Sequence, residues 1–115
     1  MKKNQKSNED DFSKWMREFY NKKAKTLSEK GYEYGRWFSS KNKIRQYNFS
    51  KASLLHHLKD LKFKNCLEIG CGPGTWTKFL LDNFPSSKID CLDISKEMIS
   101  QHEKNIKSKK VKRII

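Results

Sequence analysis

Three glycines at alternate positions, Gly70, Gly72 and Gly74, stand between a short apolar run and an amphipathic one in Leu67-Glu68-Ile69-Gly70-Cys71-Gly72-Pro73-Gly74-Thr75. Glycine lets the main chain turn tightly and lets a ligand come close to backbone N–H groups. The start of a following helix adds unpaired donors and partial positive charge suited to an anionic group. Asp93 lies roughly 20 residues beyond the first of these glycines, the offset at which a carboxylate can accept from ribose hydroxyls. Glu68 stands immediately before the turn. Three ligand classes compete for such an arrangement. A nucleoside-triphosphate loop needs G-x-x-x-x-G-K-[ST], and the chain contains no Gly-Lys pair, so that chemistry is excluded. A dinucleotide fingerprint needs G-x-G-x-x-G, whereas here the third glycine comes one residue early and Thr75 takes its slot.

Glu68 separates the remaining readings. Beside a pyrophosphate it would set one anion against another, while beside an ammonium it would be favourable. A zwitterionic amino acid joined to ribose and adenine meets every constraint, and S-adenosylmethionine is that ligand.

The elements that must position these residues follow from periodicity and breakers. Lys64-Asn65-Cys66-Leu67-Glu68-Ile69 is short and ended by glycine, which favours a strand. Thr75 to Phe84 has helical spacing in Trp76, Phe79, Leu80 and Phe84, and Pro85 stops it. Lys88 to Leu92 is a second strand, Ser95 caps a helix carrying Met98, Ile99, His102 and Ile106, and Val111 to Ile115 opens a third strand. Upstream, a helix starting near Ser50 is expected to bury Leu54, Leu55, Leu58 and Leu61. Its neighbours His56 and His57 are expected to face solvent or the margin of that face. Asp10 and Asp11 cap an earlier helix in which Phe12, Trp15, Met16, Phe19 and Tyr20 form one apolar stripe expected to pack on the core. Strand–helix alternation implies right-handed crossovers and a parallel sheet. So few strands make the chain look like the first half of a larger domain. The organisation expected is a disordered polar lead-in at 1–10, an N-terminal helical cap segment at 11–49 and the N-terminal half of a domain at 50–115.

The glycine turn, together with Cys91-Leu92-Asp93-Ile94-Ser95-Lys96-Glu97-Met98, resembles motif I and the acidic motif that follows it in class I S-adenosylmethionine-dependent methyltransferases. Residues 32–40, Tyr-Glu-Tyr-Gly-Arg-Trp-Phe-Ser-Ser, are similar to the segment preceding the core in small-molecule members, with Glu33 where the usual pair has Asp. The resemblance implies an α/β, Rossmann-like fold: an incomplete parallel sheet, ending after the start of the third strand, with helices on both faces and an N-terminal helical extension. It implies that Gly70, Gly72 and Gly74 shape the loop around the methionine part of the cofactor and that Glu68 faces its amino group, directly or through water. Asp93 would accept from the ribose, Ile94 would pack on adenine with Met98 nearby, and Tyr32 and Arg36 would close over the ligand, Arg36 pairing with its carboxylate. The activity implied is methyl transfer to a small-molecule acceptor. No catalytic residue is named, because in this family the acceptor pocket and any base lie mostly in later strands. A non-catalytic or regulatory fragment, and an RNA-directed methyltransferase or RNA-binding protein, are the rival readings.

Composition limits the rest. The 115 residues carry a formal net charge of +13, but 22 of the 26 basic side chains are Lys, scattered rather than clustered. Bidentate phosphate or base recognition favours Arg, so nucleic acid is not the favoured partner. The one dense patch is Lys107, Lys109, Lys110, Lys112 and Arg113, read as a solvated helix end and linker. Cys66, Cys71 and Cys91 form no C-x-x-C pair and are not spaced with the histidines as a zinc site requires, so no metal is expected and the thiols read as small buried hydrophobes. No apolar window approaches ~18 residues and no h-region opens the chain, which points to a cytoplasmic protein with no membrane partner. The sequence assigns no oligomeric state.

Overall fold

In the computed structural model, residues 9–26 and 31–115 are described. The expected lead-in therefore lies outside them up to residue 8. Helix α1 spans Asp11–Thr26, with Asp10 accepting from the Ser13 N–H at 2.8 Å. A short helix α2, Gly31–Glu33, runs on into a π-helical turn at Tyr34–Phe38. Then come α3 (Lys41–Leu58), β1 (Asn65–Ile69), α4 (Thr75–Asn83), β2 (Lys88–Leu92), α5 (Lys96–Asn105) and β3 (Val111–Ile114). The strands form one parallel sheet in the order β1-β2-β3. That order carries the chain steadily outward from β1 and sets both strand-to-helix turns along one edge, at the carboxyl ends of β1 and β2.

Register decides what each side chain meets. Glu68 pairs with Cys91, and Cys91 with Arg113, so these three lie on one face of the sheet. Cys66, Ile89 and Val111 share that face, and there the core forms: Ile89 and Cys91 pack with Cys71 and Ile99, flanked by Cys66, Leu80, Leu81 and Val111. The opposite face carries Leu67, Ile69 and Ile114. Among the described residues Leu67 is 58% and Ile69 75% exposed, and Ile114 is exposed as well.

Four expectations about individual elements are corrected. The helix expected near Ser50 begins at Lys41, because the Ser40 hydroxyl accepts from the Lys43 N–H at 3.2 Å and no Gly or Pro interrupts the following turns. It runs without a break through the boundary drawn between 49 and 50. Its leucines do not form a buried face: Leu54 and Leu55 are exposed, as is Leu61 beyond the end of the helix, since α3 docks by Tyr47 against Trp37 and Trp76 instead. The α1 stripe also divides. Phe12, Trp15 and Phe19 stack on one another at the surface, Phe12 67% and Trp15 57% exposed, while Ala24 is buried. The cause is the seat of α1 on α5. Asn21 Oδ1 accepts from the Ser95 hydroxyl at 2.6 Å, and Ala24 O accepts from Gln101 Nε2 at 2.9 Å, which turns the face a turn away from the aromatic stack inward. Finally, Arg113 leaves the solvated patch. Its guanidinium donates to the Ile106 carbonyl at 2.5 Å and to His102 Nδ1 at 2.8 Å, satisfying carbonyl groups at the end of α5. Among the described residues no helix is long and apolar enough to cross a membrane.

Candidate functional site

A cleft of about 580 Å³ opens at the carboxyl ends of β1 and β2, a usual place for ligands in open α/β sheets. Its floor is the Gly70–Gly72 loop. Gly70 and Gly72 have φ of +73° and +52°, in the left-handed region that glycine adopts without strain. The loop is pinned to β2 by the Gly70 and Cys71 N–H groups, which both donate to the Leu92 carbonyl at 2.7 and 3.1 Å. A Cβ on Gly70 would meet nothing within 4 Å, so that glycine borders open space.

Asp93, at the end of β2, organises the adjoining wall. Its Oδ2 accepts from the Gly72 N–H at 2.9 Å and its Oδ1 from the Ser95 N–H at 2.8 Å. The carboxylate thus ties the glycine loop to the cap of α5, and each oxygen keeps a further lone pair for a ligand hydroxyl. Ile94 and Met98 continue this wall. The segment before the sheet supplies the other: Tyr32, Glu33, Arg36 and Trp37, with Met16 and Tyr20 of α1 and Trp76 of α4. The Arg36 guanidinium lies over the Trp37 ring at 4.4 Å. Burial, the leading cause, lifts the Glu33 carboxyl above its ordinary value, while hydrogen bonding to Thr75 and Trp37 and the charge of Arg36 pull the other way.

Of the nine residues singled out from sequence, Tyr32, Arg36, Gly70, Gly72, Asp93, Ile94 and Met98 line the cleft. Gly74 and Glu68 do not. Gly74, at φ +108°, faces α5: a Cβ there would sit 2.7 Å from Ile106 Cγ1 and 3.3 Å from His102. It is a glycine of helix packing. Glu68 points onto the helix-covered face, as its register with Cys91 requires, and accepts from the Thr77 hydroxyl at 2.5 Å. Because Arg113 Nε–H can only donate, His102 Nδ1 is the acceptor of that bond. His102 Nε2 then carries the ring proton and donates to Thr77 Oγ1 at 2.8 Å, leaving the Thr77 proton for Glu68. Arg113, His102, Thr77 and Glu68 form one directed chain beneath the loop.

The same cluster brings Cys71, Cys91 and His102 within 4.8 Å of one another, a grouping that spacing along the sequence did not reveal. A cation there would have to displace the Arg113 and Thr77 bonds that already hold both nitrogens of the ring. The cysteines are free thiols, Cys71 and Cys91 buried. The hydrogen bond with Cys91, then burial, holds the Cys71 thiol above its ordinary value. Sequence reasoning missed Glu33, Trp37, Trp76, Met16 and Tyr20 as lining groups. Only the Tyr32-Glu33 pair carried a signal that could have found one of them.

Burial pushes the Glu68 carboxyl up to about 7 from an ordinary 4.5, against the lowering effect of Thr77. The folded state therefore holds a proton that the unfolded state has lost between these values, and stability contributed by the neutral acid falls as pH rises from about 4.5 to about 7. At about 1.4 kcal/mol per pKa unit the loss is roughly 3 kcal/mol. Urea melts across this range should show that slope in the native chain and a flatter profile in Glu68→Gln, whose amide oxygen still accepts from Thr77. Equal slopes in the two proteins would refute the assignment.

Residues 67–114 match the model of a family described as a methyltransferase domain. Over 45 residues the chain is 53% identical to malonyl-[acyl-carrier protein] O-methyltransferase 2 of Ilyobacter polytropus, an alignment covering 39% of this chain and 16% of that protein. Over 53 residues it is 42% identical to ribosomal RNA small subunit methyltransferase A of Mesomycoplasma hyopneumoniae, covering 46% of this chain and 20% of that protein. The structure of a SAM-dependent methyltransferase from Anabaena variabilis superposes with a TM-score of 0.61 at 19% identity, over 92% of this chain and 39% of that one. The likeness in fold thus reaches well beyond the stretch over which sequence identity is high. The chain spans between 16% and 20% of the length of these two curated relatives.

Proposed function

We propose that the chain belongs to the class I S-adenosylmethionine-dependent methyltransferase family and that its cleft is the cofactor site of a methyl transfer to a small-molecule acceptor. The observation that carries the reading is the convergence of Gly70, Gly72, Asp93, Ile94, Tyr32 and Arg36 on one cleft, contributed by segments far apart in sequence.

The residues present fit the family's cofactor. Open space above Gly70 suits the close approach of a ligand to the main chain. Asp93 has unused acceptor capacity for ribose hydroxyls and is already fixed by two backbone donors, so little reorganisation accompanies binding. Ile94 and Met98 offer an apolar surface to an adenine ring, with Met adapting its shape to what it contacts. Arg36 offers a fixed positive charge to a carboxylate, and Tyr32 stands beside it. When bound, S-adenosylmethionine supplies an electrophilic methyl group on a sulfonium that leaves readily. The work of these side chains is accordingly to bind and orient, the source of much of the rate in a reaction between two held partners.

The acceptor is the finer part of the proposal. The similarity to enzymes named for malonyl-[acyl-carrier protein] favours an acid on an acyl chain. A carboxylate is already anionic near neutral pH and needs no general base. Titration of the 115-residue chain with S-adenosylhomocysteine, the stable demethylated form, tests the cofactor reading: one-to-one saturable binding is expected, and no binding would refute it.

A further inference from the structure

Glu33 carries an acceptor that nothing among the described residues satisfies. Its carboxylate lines the cleft, yet Oε2 is buried without a hydrogen-bond partner among the described residues. Buried polar atoms are almost always paired, and one left unpaired is a standing cost that calls for an explanation. Its position suggests what the partner is. Oε1 lies 3.9 Å from where a Cβ on Gly72 would stand, so the carboxylate overhangs the middle of the glycine loop, and the missing side chain of Gly72 leaves the space between them clear. Arg36, one helical turn further on, puts a positive charge on the same wall. A carboxylate and a guanidinium side by side match the two charges of an amino acid in its zwitterionic form.

Resemblance to the family gave the ammonium to Glu68. The structure turns Glu68 away, onto the helix-covered face and into the bond with Thr77, and it is absent from the cleft wall. We propose that Glu33 receives the ammonium of the ligand's amino-acid arm in place of Glu68, and that it makes the cleft select adenosyl sulfides bearing an α-amino group. This rests on the cofactor reading above. The ligand's N–H⁺ would fill the empty acceptor, forming a charge-assisted bond of the strong kind in a site partly shielded from water.

A two-ligand comparison separates this from a structural role. S-Adenosylhomocysteine has the amino-acid arm, and 5′-methylthioadenosine lacks both the amine and the carboxylate. In Glu33→Gln, affinity for S-adenosylhomocysteine should fall roughly tenfold or more, the worth of one charge-assisted bond. Affinity for 5′-methylthioadenosine should change less than about twofold. The unliganded variant should melt close to the native chain, because Oε2 has no partner to lose and the remaining amide oxygen can still accept from Thr75 and Trp37. Glu33→Asp should recover part of the lost affinity, since it restores the charge on a shorter arm. A parallel loss for both ligands, or a lowered melting temperature with that loss, would mean that Glu33 merely supports the wall, and the inference would fall while the cofactor reading stood. Unchanged binding of both ligands in Glu33→Gln would also overturn it. Failure of the native chain to bind either ligand would overturn the cofactor reading, and this inference with it.

Discussion

Asp93→Ala should abolish measurable binding of S-adenosylhomocysteine and also weaken the fold. The two effects share one cause. Oδ2 holds the Gly72 N–H at 2.9 Å and Oδ1 holds the Ser95 N–H at 2.8 Å, so the carboxylate is the clasp between the glycine loop and the start of α5. Hydrogen bonds to a charged group contribute about 1.5–3 kcal/mol each, and loss of both lowers stability by at least about 3 kcal/mol. Against the usual 5–15 kcal/mol of a folded domain that is a large fraction. Binding suffers twice, because the ribose acceptors disappear and the Gly72 end of the loop loses its tie to the start of α5. Asp93→Asn should fall between native and Ala: its amide oxygen keeps one of the two acceptors, but its NH₂ is set against a backbone N–H. Urea denaturation followed by calorimetric titration measures both quantities. Native-like stability together with native-like affinity in Asp93→Ala would remove Asp93 from the site.

Gly74→Ala is the second large effect, and it should leave a different signature from Gly70→Ala. At Gly74 a Cβ would stand 2.7 Å from Ile106 Cγ1, on a backbone with φ of +108°. Conformational strain of about 1–2 kcal/mol in the left-handed region adds to overpacking of about 1–3 kcal/mol. The chain should lose at least about 2 kcal/mol of stability and bind its ligand weakly only in proportion to the unfolded fraction. At Gly70 a Cβ meets nothing within 4 Å, so only the strain of φ +73° applies. There the methyl group enters the cleft, and affinity should fall further than stability. Thermal melts paired with ligand titrations on both variants distinguish packing from cradle. Equal ratios of affinity loss to stability loss would contradict the division of labour among the glycines.

That division was only half legible in the sequence. The order of strands and helices from the first strand onward, the glycine turn and the acid after β2 could all be read, because each rests on local chemistry: breakers, caps and short-range periodicity. Seven of the nine residues singled out meet in the cleft for the same reason. Gly74 and Glu68 escaped because their roles are set across the sheet. Only the register of β1 on β2 shows that Glu68 shares a face with Cys91 and Arg113, and only the seat of α5 shows that Gly74 has no room for a side chain. The misreadings of α1 and α3 have another cause. Phe12, Trp15 and Phe19 have perfect helical spacing yet stack at the surface, and Leu54, Leu55 and Leu61 stay exposed. Periodicity finds an apolar face without telling whether a second element covers it. The cluster of Cys71, Cys91 and His102 was invisible for a related reason, since it joins a loop, a strand and a helix that come together only in the folded sheet.

The most direct test of the central claim is calorimetric titration of the 115-residue chain with S-adenosylhomocysteine and, separately, with NAD⁺. Both ligands contain adenosine and could use Asp93, but NAD⁺ brings a pyrophosphate where the other has an amino acid. Saturable one-to-one binding of S-adenosylhomocysteine with no heat from NAD⁺ is the result expected of a cleft that pairs Glu33 and Arg36 over a glycine loop. Binding of NAD⁺ by a chain that ignores S-adenosylhomocysteine would contradict it.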